Sequence, residues 1–213
     1  MVHKKERGFW ICVDYRQLKH HSVKDHYQLP RIHEVFSDLH DAHFFFYLEL
    51  LRGYHEIPIR VDDRPKTAFI THNGLFVFNL ISYGLWIAQS TFQRVMDRIF
   101  RVYIGKDVAT YLDELLMYAF QFHQILAVID RILGEVIVAL LKSKPRKCQI
   151  FQEGSNYVGH ICRKGIIGAD WFKLDKIREW PFPMTRNEVA SFLGLCNYYA
   201  RLIPHFSPDA LPI

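Results

Sequence analysis

Two adjacent acids, Asp113 and Glu114, interrupt an otherwise apolar segment, with Val108 to Leu112 before them and Leu115 to Tyr118 after. Two short β-favouring runs with only the acids between them predict a hairpin that carries both carboxylates at its tip. A solvated turn accounts for that pair equally well, because acids at exposed tips cost little. Glu49 adds weight to a chemical reading. It closes the run Phe44-Phe45-Phe46-Tyr47-Leu48, and a charge at the end of five apolar residues needs a partner or a metal. Two strand-end carboxylate sites that face one another across a sheet suit divalent ions. Mg²⁺ is held by one or two carboxylates plus substrate phosphates. Two such ions about 3.5 to 4 Å apart activate an attacking hydroxyl and stabilise a leaving oxygen in phosphoryl transfer.

The elements that would position these acids need a core, and 213 residues at 50% hydrophobic content supply one, in one or two domains. A net charge of +5 and a pI near 9.0 favour a polyanionic partner, most of all at the local clusters Lys4, Lys5, Arg7 and Lys142, Lys144, Arg146, Lys147. Such runs also serve as solvated faces. The four cysteines, Cys12, Cys148, Cys162 and Cys196, have no C-x-x-C spacing, which argues against a disulfide framework or a zinc site and for reduced, intracellular thiols. Of the twelve histidines only His40 and His43 stand at a helical spacing, so no histidine metal site is expected. No apolar run approaches the roughly 20 residues of a membrane helix, and Met1 to Lys5 lack the apolar core of a signal peptide. The expectation is a soluble protein of the cytoplasm or nucleus, without a membrane partner.

Taken in order, residues 9–15 read as a strand, and Leu29, Ile32, Val35, Phe36 and Leu39 as an amphipathic helix with Pro30 near its first turn. Residues 54–60 alternate around Pro58, which suits a short edge strand. Ala68-Phe69-Ile70 and Leu75 to Phe78 flank His72-Asn73-Gly74, a strong hairpin signal. Ser90 to Gln93 fit a capping box ahead of Val95, Met96, Ile99 and Phe100. Ile125, Leu126, Ile129, Ile132, Leu133 and Val136 predict another amphipathic helix, and a short strand follows at 157–162. From residue 170 helices take over, one ended by Pro181 and Pro183 and one capped by Thr185 with Glu188. The pattern is mixed α+β, with helices on one face of a mainly antiparallel sheet.

By this point the residues resemble a known family over essentially the whole chain, the reverse transcriptase domain of gypsy-type long-terminal-repeat retrotransposons. The resemblance is carried in order by Cys12 to Leu18, Leu29-Pro30-Arg31-Ile32, Gly53-Tyr54-His55, Pro65 to Phe69, Tyr83-Gly84-Leu85, Thr91 to Arg94, Tyr111-Leu112-Asp113, Lys147-Cys148, Gly159-His160, Phe192 to Leu195 and Asn197-Tyr198-Tyr199. It implies a right-hand polymerase: fingers at 1–23 and 57–87, palm at 24–56 and 88–165, and a partial thumb or connection at 166–213. It also implies that deoxynucleotide triphosphates are added to a primer on an RNA or DNA template, with Mg²⁺ or Mn²⁺.

Carried over position by position, the resemblance makes Glu49, Asp113 and Glu114 the catalytic, metal-binding acids. Lys4, Lys5, Tyr54, Tyr83, Gly84 and Lys147 become nucleotide contacts, with Tyr54 the ring that blocks a ribose 2′-OH. Arg16, Gln93, Tyr157, Gly159 and His160 become nucleic-acid contacts, the last three within a primer-gripping turn. The chain departs from the family at four places. Glutamate stands for aspartate at 49 and 114, Trp10 for an arginine, Ile87-Ala88-Gln89 for Asn-Ala-Pro, and Lys19 or His20 for an asparagine. Each glutamate adds a methylene and moves its carboxylate by on the order of 1 Å, a displacement able to cost roughly 100-fold in rate. The expected function is therefore an RNA-directed DNA polymerase domain of impaired activity, cut from a longer polyprotein. The competing reading is a remnant that binds nucleic acid without catalysis.

Overall fold

The computed structural model describes residues 2–3, 9–23, 25–39, 41–51, 53–164 and 166–206. Strand β1 (Val2–His3) pairs antiparallel with β2 (Phe9–Trp10), and the strand expected over 9–15 stops at Trp10. Asp14 supplies the reason. Its carboxylate accepts from the backbone N–H of Arg16 at 3.0 Å, a turn that breaks extension and opens α1 (Arg16–His20). Helix α2 (Ile32–Asp38) begins later than the periodicity suggests, because Arg31 after Pro30 is still extended.

Strand β3 (Phe44–Glu49) follows. Residues 54–60 do not form the expected edge strand; a 3₁₀ turn over Gly53–Glu56 takes their place, and only Pro58 bridges, to Leu80. Proline has no N–H with which to extend that ladder. Strands β4 (Phe69–Thr71) and β5 (Gly74–Phe76) make the expected hairpin around His72-Asn73. Helix α3 (Ala88–Ile99) starts two residues before Ser90, whose hydroxyl donates to the Ile87 carbonyl. The capping box expected there does not form, and Gln93 turns inward instead.

Strands β6 (Val108–Tyr111) and β7 (Glu114–Ala119) form the acid hairpin, followed by α4 (Phe122–Val138). Then come β8 (Gln149–Gln152), β9 (Gly154–Tyr157), β10 (His160–Arg163) and β11 (Ile166–Ala169), with α5 (Trp171–Arg178) and α6 (Arg186–Tyr198) last. Thr185 and Glu188 cap α6 reciprocally, as their spacing predicts.

The central sheet is antiparallel, in the order β6-β7-β3-β8. Alternation along β3 sends Phe46 and Leu48 to one face, against Phe92 and Met96 of α3 and Ile125, Val128 and Ile132 of α4. Phe45 and Tyr47 go to the other, against Phe36 of α2 and against Tyr157 and Cys162 of the second sheet, β11-β10-β9. The two long helices thus share one face, while α2 lies on the opposite one. Burial on both faces explains why Phe44 to Leu48 is apolar without a break, and each such side chain contributes about 1.5 to 3 kcal/mol. Among the described residues no helix is long and apolar enough to cross a membrane.

Candidate active site

The acid hairpin turns through only two residues, since Tyr111 pairs with Glu114. Leu112 has φ 52°, a left-handed backbone that costs a bulky residue of order 1 to 3 kcal/mol unless its surroundings fix it. Gln93 fixes it. This side chain is fully buried, and its Oε1 accepts from the Leu112 N–H at 2.7 Å. Its amide nitrogen donates to Asp97 at 2.8 Å and to Thr110 at 3.3 Å, and Tyr27 donates to the other Asp97 oxygen at 2.5 Å. So enclosed, the Gln93 side chain holds the turn from within the core. Gln93→Leu should cost about 2 to 4 kcal/mol in urea denaturation, because it orphans the Leu112 N–H and strips partners from Asp97.

Glu49 and Glu114 stand opposite one another across β3 and β7, and the Leu50 N–H donates to the Asp113 carbonyl at 2.8 Å. Like charges in direct cross-strand register repel. Two lysines offset that repulsion: Lys144 Nζ lies 2.5 Å and Lys147 Nζ 3.0 Å from the Glu49 carboxylate. Burial alone would raise the Glu49 carboxyl, yet these ammoniums hold it below the usual range. Asp113 and Glu114 differ. Burial pushes the Asp113 carboxyl up, and burial with the neighbouring acids does the same to Glu114, even though Glu114 accepts from the Val158 N–H at 3.1 Å. Asp113 sits against Gly53, where an added Cβ would stand 3.5 Å from the Asp113 Cβ.

The three acids therefore gather at one end of the sheet without forming a ready cage. Among the described residues no group of three His, Cys, Asp or Glu is placed to hold a metal. The donor chemistry nonetheless suits a hard divalent ion, since Asp113 and Glu114 bury negative charge that a cation would relieve. Glu49 is already committed to other cations.

A cleft of about 380 Å³ beside Glu49 and Glu114 is lined also by Tyr47, Lys147, Val158 and Lys173, and Asp113 is not in its lining. A larger apolar pocket of about 630 Å³ lies between α1, Pro58 and Trp86, and it contains none of the three acids. Of the expected nucleotide contacts, Lys4 and Lys5 lie outside the described residues. Lys147 reaches Glu49, as above. Tyr54 is wedged edge-on between Tyr83 at 5.8 Å and Phe92 at 5.6 Å. Gly84, at φ +95°, has Val13 O only 2.5 Å from where a Cβ would stand, so only glycine fits.

Arg16 is exposed and paired with Asp14 at 2.5 Å. Tyr157 and His160 are 1% and 5% exposed, and they flank a two-residue turn of Val158 (φ 43°) and Gly159 (φ 73°). Burial lowers the His160 pKa, and its ring packs on Phe36 at 4.7 Å. Two functional contacts escaped the sequence reading. Tyr198 donates to the Val158 carbonyl and Tyr199 to the Gly159 carbonyl at 3.0 Å, pinning from α6 the turn whose N–H holds Glu114. In the sequence these tyrosines stand in the Asn197-Tyr198-Tyr199 run that carries the family resemblance, with nothing to mark the turn as their partner. Lys144 was visible as one member of a basic run, with nothing to mark it as the partner of Glu49.

Comparison with known proteins agrees with this architecture. Residues 2–162 match the family described as reverse transcriptase (RNA-dependent DNA polymerase). The chain is 34% identical over 203 residues to the retrovirus-related Pol polyprotein from transposon gypsy of Drosophila melanogaster, covering 95% of the chain and 20% of that protein. It is 30% identical over 203 residues to the corresponding polyprotein from transposon 297 of the same organism, covering 95% and 19%. To the transposon Tf2-7 polyprotein of Schizosaccharomyces pombe it is 29% identical over 213 residues, covering 100% and 16%. The chain thus spans about a fifth or less of these relatives. Among solved structures, a foamy viral protease-reverse transcriptase in complex with double-stranded DNA matches with a TM-score of 0.88 at 19% identity, covering 99% of this chain and 37% of that one. The same viral protein in complex with an RNA/DNA hybrid matches at 0.82 and 20% identity, covering 93% and 27%. At such identities these two likenesses concern the fold.

Proposed function

The chain belongs to the reverse transcriptase family of retrotransposon polyproteins, and from that premise we propose that it contributes the template-directed DNA polymerase step, adding deoxynucleotides to a primer on RNA or DNA. The observation that carries the proposal is the meeting of Glu49 and Glu114 across β3 and β7, with Asp113 on the strained turn between β6 and β7. In this reading residues 24–56 and 88–165 are the palm, 1–23 and 57–87 the fingers, and 166–213 the start of a thumb.

Asp113 and Glu49 would hold a divalent ion, Mg²⁺ or Mn²⁺, with Glu114 beside them. When bound, that ion supplies Lewis acidity toward the primer hydroxyl and the α-phosphate oxygens. The chain's own residues do the rest. Lys147 faces the triphosphate, and Tyr54, immobilised between Tyr83 and Phe92, offers a fixed wall to the sugar. Gly84 lets the chain pass close beneath the nucleotide. The turn of Val158 and Gly159 supports the primer end and orients Glu114 through its N–H.

Primer extension tests this reading. Products should lengthen to a ladder whose ends follow the template, and no templated product with either Mg²⁺ or Mn²⁺ would favour the second reading, a nucleic-acid-binding remnant. That alternative has an observation in its favour: the occupation of Glu49 by two lysines. Both readings require a basic groove. Binding to primed template should therefore weaken steeply between roughly 50 and 200 mM salt, by counterion release, and a flat salt titration would contradict both.

A further inference from the structure

We infer that Lys144 is a built-in cation for Glu49, one that competes with a divalent ion for this carboxylate and sets a weak affinity for metal at the site. The inference rests on the reading of Glu49 and Asp113 as metal-holding acids. Its ground is the way Lys144 is mounted.

An exposed lysine on a flexible loop would contribute little, since such pairs are worth about 0 to 1 kcal/mol. Lys144 is not mounted that way. Its backbone N–H donates to the Glu49 carbonyl at 2.8 Å, the Leu51 N–H donates to the Lys142 carbonyl at 2.5 Å, and Leu50 bridges Ser143 antiparallel. Residues 142–144 are therefore zipped onto the end of β3, and the 3₁₀ turn Pro145–Lys147 brings Lys147 back to the same carboxylate. Backbone ladder and ion pair involve the same two residues, so the ammonium is aimed before any side chain is ordered. The Lys144 and Glu49 side chains are only 25% and 13% exposed, which limits solvent screening.

Charge balance follows from this. Two ammoniums face one carboxylate at Glu49. A divalent ion shared between Asp113 and Glu49 must displace the Lys144 ammonium or tolerate a positive charge within a few ångströms. At the effective dielectric of a half-buried site either course is costly.

The test is Mn²⁺ binding to the full chain, read by the loss of the free-ion signal in electron paramagnetic resonance and so independent of turnover. Wild type, Lys144→Gln, Lys144→Arg and Asp113→Asn are compared, with circular dichroism to confirm that each is folded. Lys147 remains in every variant to hold Glu49. The expected result is that Lys144→Gln tightens Mn²⁺ binding about tenfold, Lys144→Arg leaves it near wild type, and Asp113→Asn weakens it. If Lys144→Gln binds Mn²⁺ no more tightly than wild type while Asp113→Asn still weakens binding, the inference is overturned and the metal-site reading stands. If no folded variant binds Mn²⁺ in a manner sensitive to Asp113, both fall together.

Discussion

Asp113→Asn should slow primer extension by roughly 1000-fold, the equivalent of about 4 kcal/mol of transition-state stabilisation, and should at the same time raise the melting temperature at pH 7. The loss follows from removing a negatively charged oxygen donor where the reacting phosphate must be neutralised. The gain follows from burial. The Asp113 carboxyl is raised above its ordinary value of 3.8, so the folded chain holds its proton more tightly than the unfolded chain does. Its contribution to stability is complete below the unfolded pKa and is lost as pH rises through the folded one, which leaves a destabilising carboxylate at neutral pH. The advantage of asparagine should accordingly shrink as pH falls through the folded pKa toward the unfolded one. Melting curves from pH 4 to 8 check the sign, and an advantage that grows on acidification would contradict it.

The double variant Glu49→Asp with Glu114→Asp should raise extension by about 100-fold while nearly preserving affinity for primed template. Charge is conserved, so the electrostatics of the groove hardly move, whereas the oxygen positions around a small octahedral ion do. The structure adds a second cause. Shortening residue 49 draws its carboxylate away from Lys144 and Lys147, which now stand 2.5 and 3.0 Å from it. Single-turnover extension under Mn²⁺ separates rate from binding. An unchanged rate in a folded variant that still binds would move suspicion to the start of α3, where Ile87 precedes the helix without a side-chain cap.

How much of this was legible in the sequence depended on whether the signal was local. The acid hairpin could be read because two apolar runs flank two residues, and the α6 cap because Thr185 and Glu188 meet at a fixed spacing. Strand β3 was legible from its unbroken apolar run, although burial on both faces hid which residues face which helix. Residues 9–15 misled because β-propensity ignores the turn that Asp14 imposes on Arg16. Ser90 and Gln93 misled for a deeper reason. The capping-box spacing was present, but the half-buried Leu112 N–H, nineteen residues on, offered Gln93 a partner within the fold. The site was legible in its acids and not in their partners. Lys144, Tyr198 and Tyr199 reach Glu49, Val158 and Gly159 across 95 and 40 residues of chain, separations that periodicity cannot encode.

The most direct measurement is incorporation of a single labelled deoxynucleotide opposite a defined template base, on a recessed RNA template with Mn²⁺, by the wild-type chain and by Glu49→Asp with Glu114→Asp. Slow addition of the complementary nucleotide by wild type, and faster addition of that same nucleotide by the double variant, is the predicted result. Addition by neither, from folded proteins that both bind the primed template, would contradict the assignment of Glu49, Asp113 and Glu114 as the centre of nucleotidyl transfer.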